Sequence, residues 1–197
     1  MRVFLAAEID AGVRAKIAAM PRELASLTER ARWVRPEGLH LTLRFFGEVP
    51  PEGVETLGAK LAEALAGLPA FELEFRGCGV FPERGRPRVL WVGVPDAPEA
   101  LFDLQSRAEA CARALGFARE TRRYEPHLTL ARFREHERSA GSILEVLENR
   151  SFGVSSVGEA ILFESRLSTS GSRYERLRAF SLEAARVDVR QQEKGLV

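Results

Sequence analysis

The tetrapeptide His-Leu-Thr-Leu occurs twice in this chain, at residues 40–43 and again at residues 127–130. A strand-like and a helix-like pattern precede each copy, and a helix-like and a strand-like pattern follow it. The period is too long and the copies are too few for a solenoid, so an internal duplication is indicated. We predict one bilobal domain over residues 1–184, with lobes formed roughly by residues 1–83 and 88–184. A polar tail at residues 185–197 follows it.

Apolar spacing predicts the individual elements. Short apolar or alternating runs predict strands at residues 3–9, 39–46, 71–75, 89–94, 127–133, 161–164 and 174–182. Apolar residues at helical spacing predict helices within residues 12–31, 50–68, 101–115 and 139–148, the first of them kinked by Pro21. Short consecutive strands after the second helix of each half favour largely antiparallel sheets with helices on the outer faces. The expected fold class is therefore α+β.

Composition limits the partners of this chain. The formal net charge is +1 over 197 residues, so no global basic field indicates nucleic acid, and a basic groove must be local. Two cysteines, Cys78 and Cys111, are too few for a disulfide framework or a metal cluster, and their apolar surroundings predict buried free thiols. No apolar run approaches the roughly 20 residues that span a bilayer, and Glu8 is too early an acid for a signal peptide. We expect a cytoplasmic protein without a membrane partner.

Strand alternation gives the repeated tetrapeptide a chemical meaning. His40 and Thr42 point to one face of their strand while the leucines point to the other, and His127 and Thr129 do the same. If two lobes face each other, the four polar side chains meet in one cleft with approximate two-fold symmetry. Packing alone would preserve the leucines, but it has no need of a polar His and Thr.

Paired imidazoles suit the hydrolysis of a phosphodiester, which needs a base for the incoming water and an acid for the departing alkoxide. An unperturbed imidazole has a pKa near 6.5, so near neutral pH one ring can be neutral and its twin protonated. Threonine hydroxyls can donate to the non-bridging oxygens, where charge gathers in the transition state. We predict a catalytic centre of His40, Thr42, His127 and Thr129 that needs no metal and no cofactor, since the sequence offers no obvious carboxylate cluster.

Several segments of the chain match a known family pattern. They are residues 2–6, 39–43 with 46–49, 126–130 with 131–132, and 165–167 with Gly171 and Tyr174. On these segments the chain resembles the 2H phosphoesterases, and within them the bacterial and archaeal RNA 2′,3′-cyclic phosphodiesterases, historically called 2′-5′ RNA ligases. The resemblance spans nearly the whole chain, up to about residue 184.

The resemblance implies two antiparallel sheets around a central cleft and the opening of a 2′,3′-cyclic phosphate at an RNA end to a 2′-phosphomonoester. It makes His127 the base that activates water and His40 the acid that protonates the leaving 3′-oxygen, with Thr42 and Thr129 on the phosphate. Reversal of the same steps would join RNA ends by a 2′-5′ linkage. The implied partners are cyclic-ended RNAs, tRNA fragments among them. A monomer is expected because the two lobes already complete one cleft.

Two residues are further candidates for substrate binding. Arg132 matches a family arginine, but strict alternation from His127 points it away from the cleft and would instead put Arg44 on the face of His40. We interpret Arg132 as a phosphate ligand reached through a twist or bulge, with a surface salt bridge as the alternative. Tyr124 is placed to stack on a base, with edge packing as the alternative.

For the remaining candidates, core packing or a solvated surface position competes with a role in binding. Trp33 and Trp91 are expected in the core rather than as base platforms, and His136 in a solvated charged loop. Five arginines either line a path for an RNA backbone or form a solvated surface: Arg84, Arg86, Arg88, Arg122 and Arg123.

Two other functions compete with RNA end processing. One is the same chemistry on a small cyclic nucleotide, and the other is a non-catalytic RNA-binding module that keeps the cleft without turnover. The intact His and Thr pairs argue against the second.

Overall fold

The computed structural model describes residues 1–27, 31–133, 140–168 and 171–184. The predicted polar tail and His136 therefore lie outside the described residues. The helices are α1 (Ala11–Glu23), α2 (Pro51–Leu65), α3 (Glu99–Ala114) and α4 (Ala140–Leu147), with a short 3-10 helix at Pro36–Gly38. The strands are β1 (Arg2–Glu8), β2 (Ala31–Trp33), β3 (His40–Glu48), β4 (Phe71–Phe81), β5 (Val89–Gly93), β6 (His127–Phe133), β7 (Ser151–Val157), β8 (Glu159–Ser168) and β9 (Gly171–Ser181). None of the helices in these ranges is long and apolar enough to cross a membrane.

The elements follow the apolar patterns with shifted ends. α1 ends at Glu23, shortly after Pro21, and β4 runs six residues beyond the predicted end at Phe75. Two strands were not predicted. β2 has only three residues, and β7 contains one glycine and three serines that dilute its apolar alternation.

All pairings between the named strands are antiparallel, and their order along the sheet is β7-β4-β5-β6-β3-β1-β8-β9. β6 and β3, which carry the two tetrapeptides, meet at a single residue pair, Leu41 and Leu128. The sheet thus consists of two four-stranded halves joined at its centre, and β2 adds to the far end of β6. The predicted α+β fold with antiparallel strands is confirmed.

The two halves of the sheet do not correspond to the two halves of the chain. β4 precedes residue 83 but lies between β5 and β7, whereas β8 and β9 follow residue 88 but join β1. Each repeat therefore supplies later strands to the other half-sheet. The predicted lobe boundaries stay a prediction. Apolar periodicity reports how a strand is buried and not which strand it pairs with, so the exchange is invisible in the sequence pattern.

The leucines of the tetrapeptides lie at the centre of the main core. Leu41, Leu43, Leu128 and Leu130 are 0, 2, 0 and 1% exposed, and they belong to one cluster with the inward side chains of the helices. Burial of each leucine is worth roughly 1.5–3 kcal/mol. These side chains decide which face of β3 and β6 turns toward the helices, and they leave His and Thr on the other face.

The two cysteines have little freedom to react. Cys78 is half-buried, Cys111 is buried, and both are free thiols, as predicted. Burial raises the pKa of the Cys78 thiol to about 12, so at neutral pH it stays protonated.

Candidate active site

The single pair between β3 and β6 positions the four predicted catalytic side chains. The antiparallel register that Leu41 and Leu128 define sets His40 across from Thr129 and Thr42 across from His127. All four side chains are half-buried and lie on the face opposite the leucines. The structure therefore brings both His-Thr pairs into one cross-strand group around a local two-fold axis.

Both imidazoles are held in the same way. His40 Nδ1 lies 2.8 Å from the carbonyl oxygen of Gly38, and His127 Nδ1 lies 2.7 Å from that of Glu125. A carbonyl oxygen only accepts, so Nδ1 carries the proton in each ring. Nε2 is left as the nitrogen that takes up or releases a proton, which is what a base or an acid in this position requires.

Aromatic side chains enclose His40. The ring centroids of Phe4 and Tyr174 each lie 4.8 Å from that of His40, and Phe163 lies 6.4 Å away. The pKa of His40 is lowered to about 4, chiefly by burial in this cluster; the Gly38 hydrogen bond opposes this shift, and the charge interactions with Arg14 and His127 add to it. In the free protein His40 is consequently neutral at pH 7.

Arg14 holds the turn that orients His40. Its guanidinium donates to the carbonyl oxygens of Ile9 and Pro36. Pro36 begins the 3-10 helix that ends at Gly38, whose carbonyl in turn holds His40 Nδ1. Through this turn, Arg14 on α1 helps to hold the carbonyl that fixes the proton on Nδ1 of His40.

Trp91 forms a wall beside His127. It pairs with Thr129, which puts the indole on the face of the catalytic group, and its ring lies 6.1 Å from that of His127. A Cβ at Gly79 would lie 2.0 Å from the indole Cζ2, so glycine is required beneath the ring. Trp91 is thus half-buried at the site rather than in the core as expected, whereas Trp33 packs against the main core.

A β-bulge decides the direction of Arg132. Leu90 pairs with Ala131 but Trp91 pairs with Thr129, so Leu130 and Ala131 together oppose one residue, and both are buried. The extra residue returns Arg132 to the face of His127. Arg132 is exposed, and no ion pair joins it to any other described residue. The bulge removes the geometric objection to Arg132 as a phosphate ligand, and that role stays a prediction.

An equivalent bulge in β3 turns Arg44 to the opposite face, toward the helices. Leu5 pairs with Arg44 and Ala6 pairs with Thr42, so Arg44 joins Leu43 on the helix side. Arg44 is only 7% exposed, and its Nε lies 2.7 Å from Glu109 Oε2 on α3. The expectation from strict alternation that Arg44 shares the face of His40 is therefore wrong. The position equivalent to Arg132 is held by Phe45, whose ring lies 5.0 Å below the guanidinium of Arg2.

Tyr124 connects the approach to His127 with the strand of Thr42. Its hydroxyl donates to the carbonyl oxygen of Thr42 at 3.1 Å, and its ring meets Phe102 edge-on at 6.3 Å. Burial raises the pKa of the Tyr124 hydroxyl well above its usual range. These contacts favour edge packing over stacking on a base.

Replacing Tyr124 by phenylalanine is expected to lower the free energy of unfolding by about 1 kcal/mol, because the Thr42 carbonyl loses its donor. Urea unfolding measures the change. A tyrosine that stacked on substrate with a free hydroxyl would show no such loss, so unchanged stability would contradict the packing assignment.

The five basic candidates remain open. Arg84, Arg86, Arg88, Arg122 and Arg123 are exposed, and none forms an ion pair with another described residue. A path for RNA and a solvated surface both stay compatible with these positions.

The side chains at the site are suited to proton transfer. Within the described ranges, no group of three or more His, Cys, Asp or Glu side chains is arranged to hold a metal ion. Two imidazoles with defined tautomers and two hydroxyls converge on one face instead. A metal-free reaction stays a prediction.

The family model of LigT-like phosphoesterases matches the chain twice in succession, over residues 8–91 and 92–174. This chain belongs to the LigT-like phosphoesterases. Each match contains one His-Leu-Thr-Leu copy, so the resemblance and the duplication inferred from the sequence are confirmed together.

Similar proteins cover almost all of this LigT-like chain. The RNA 2′,3′-cyclic phosphodiesterase of Methanothermobacter thermautotrophicus is 34% identical over 184 residues, which are 92% of this chain and 99% of the relative. That of Archaeoglobus fulgidus is 33% identical over 180 residues, 91% and 99% of the two chains. TT0787 of Thermus thermophilus superposes with a TM-score of 0.80 at 27% identity, covering 94% of this chain and all of that one. E. coli LigT in complex with 3′-AMP gives 0.76 at 26% identity, covering 92% and 97%.

Four residues beside the LigT-like site were not predicted from the sequence as site residues. Arg14 and the Gly79–Trp91 contact act through elements that are distant along the chain, so no local pattern marks them. Tyr174 lies in a segment that matched the family, and that match was a usable signal for its place beside His40.

Proposed function

We propose that this LigT-like phosphoesterase is an RNA 2′,3′-cyclic phosphodiesterase that opens a terminal cyclic phosphate to a 2′-phosphomonoester. The cross-strand group of His40, Thr129, His127 and Thr42, with both Nδ1 atoms held by carbonyls, carries the proposal. The names of the relatives support it, since they cover nearly the whole chain. The 3′-AMP complex of E. coli LigT supports a nucleotide as the kind of ligand.

In the proposed reaction His127 Nε2 takes a proton from water, and the water oxygen bonds to phosphorus. The bond from phosphorus to the 3′-oxygen breaks, and His40 Nε2 gives its proton to that oxygen. The phosphate then stays on the 2′-oxygen. The hydroxyls of Thr42 and Thr129 donate to the non-bridging oxygens, and Arg132 offsets their charge.

His40 must acquire its proton for this role. Burial holds its pKa near 4 in the free protein, so the acid is unprotonated at pH 7 before substrate arrives. An anionic phosphodiester beside the imidazole favours the protonated form and raises its pKa. We infer that His40 takes up a proton as the cyclic phosphate binds.

The proposal includes action without metal or cofactor, in the cytoplasm and as a monomer. A monomer is supported because a single chain supplies both imidazoles to one face of one sheet. The natural substrates would be cyclic-ended RNA fragments, such as tRNA fragments, and reversal of the steps would make a 2′-5′ linkage.

The test is hydrolysis in EDTA of an oligoribonucleotide ending in a 2′,3′-cyclic phosphate, followed by ³¹P NMR, beside a cyclic mononucleotide. We expect a 2′-phosphomonoester at a rate that added Mg²⁺ does not change. EDTA inhibition reversed by metal, or a 3′-phosphate product, would contradict the mechanism. Turnover of the mononucleotide alone would favour the small-nucleotide enzyme, and RNA binding without turnover would favour the non-catalytic module.

A further inference from the structure

Two arginines face each other at the far end of β6. Arg32 on β2 is the direct antiparallel partner of Arg132. Side chains of directly opposed antiparallel residues lie on the same face, with Cβ atoms roughly 4.5–5.5 Å apart. Because the bulge turns Arg132 to the face of His127, Arg32 lies on that face as well.

This pair is electrostatically unfavourable in the free protein. Like charges directly opposite each other destabilise a sheet. Both arginines are exposed, and neither forms an ion pair with another described residue. Four arginines elsewhere in the sheet have carboxylate partners, whereas Arg2, Arg173 and Arg178 form no ion pair with a described residue: Arg44 pairs with Glu109, Arg76 with Glu74 and Asp96, Arg166 with Glu164 and Glu175, and Arg176 with Glu8 and Glu159. A bound anion would relieve the repulsion between Arg32 and Arg132.

The position of the pair indicates which anion. Arg132 follows Thr129 by three residues, which is at most roughly 10 Å along a strand that rises about 3.3 Å per residue. A 2′,3′-cyclic phosphate ends an RNA chain, so the next phosphate can only lie on the 5′ side of the terminal nucleoside. A cyclic mononucleotide has no such phosphate.

We propose that Arg32, together with Arg132, binds the phosphodiester immediately 5′ of the cyclic end, so that the site prefers a cyclic-ended oligoribonucleotide over a cyclic mononucleotide. The planar guanidinium fork can donate two hydrogen bonds to one phosphate. Arg132 lies nearer to Thr129 and serves both phosphates, while Arg32 serves the second. This inference rests on the proposed function and names its substrate class.

The test compares kcat/KM of wild type and Arg32→Ala on a cyclic-ended pentaribonucleotide and on the cyclic mononucleotide of the same terminal base. We expect the ratio of the two values to fall about tenfold in the variant, chiefly through KM of the oligonucleotide. The slope of log affinity against log salt should fall by about 0.7, the value for one contact to a single strand. The melting temperature should stay equal or rise, since a repulsion is removed. Arg32→Lys should restore part of the ratio.

Arg113→Ala is the matched control. Arg113 is exposed on α3, on the helix side of the sheet, and forms no ion pair with another described residue. Its loss removes the same charge and should leave both substrates unaffected.

Three results would overturn the inference. One is an unchanged ratio in Arg32→Ala, another is an equal loss on both substrates, and the third is a loss accompanied by a lower melting temperature. Wild-type protein that hydrolyses neither substrate would overturn the proposed function as well. A failure confined to Arg32→Ala leaves that function standing.

Discussion

Replacing either His40 or His127 by alanine is expected to lower kcat by about 10²–10⁴, because each change removes one partner in proton transfer. In the proposed reaction the two imidazoles act from opposite sides of the same phosphorus. The double variant should therefore lose far less than the product of the two single losses. Single-turnover rates on a cyclic-ended oligoribonucleotide measure the effect on the chemical step.

Folding must be separated from catalysis in this experiment. His40 is enclosed by Phe4, Phe163 and Tyr174, so alanine leaves a cavity in that cluster. His40→Asn keeps a polar group that can donate to the Gly38 carbonyl, and it should fold while remaining inactive. His136→Ala changes the third histidine of the chain and should retain full activity. Undiminished hydrolysis by either the His40 or the His127 variant would refute the catalytic assignment.

Acidification from pH 7 to pH 4.5 is expected to destabilise the wild type by about 2–3 kcal/mol more than His40→Asn. An unfolded histidine binds a proton below about pH 6.5, whereas folded His40 does so only near pH 4. Between these values the unfolded state binds more protons, so stability falls as the pH falls. Urea unfolding of both proteins at the two pH values isolates His40, because other titrating groups are common to both.

The same imidazole should respond to phosphate. An NMR titration is expected to give His40 a pKa near 4 in the free protein and a higher value with inorganic phosphate bound. A free-protein pKa near the ordinary 6.5, with equal pH dependence of both proteins, would contradict the effect of burial. If phosphate leaves the pKa unchanged, His40 stays neutral at pH 7 and the acid role passes to His127. A pH–rate profile with a single limb over pH 5–9 would contradict paired acid–base catalysis altogether.

The sequence by itself indicated the two His-Thr pairs at the centre of the candidate site. Leu41 and Leu128 alternate with His and Thr, and burial of the leucines forces the polar side chains onto the other face. The repeated tetrapeptide indicated the local two-fold symmetry. These features follow from the two-residue period of a strand and from the favourable free energy of apolar burial. Both can be inferred from the pattern of apolar residues in a single segment.

Only the tertiary structure decided the features that depend on a strand's partner. A bulge is an extra residue counted against the neighbouring strand, so the opposite directions of Arg44 and Arg132 required β1 and β5. The pairing of Arg32 with Arg132, the exchange of later strands between half-sheets, and the low pKa of His40 all arise between residues far apart in the chain. Local periodicity carries no record of such contacts, because it is set by which face of a segment is buried and not by what covers that face.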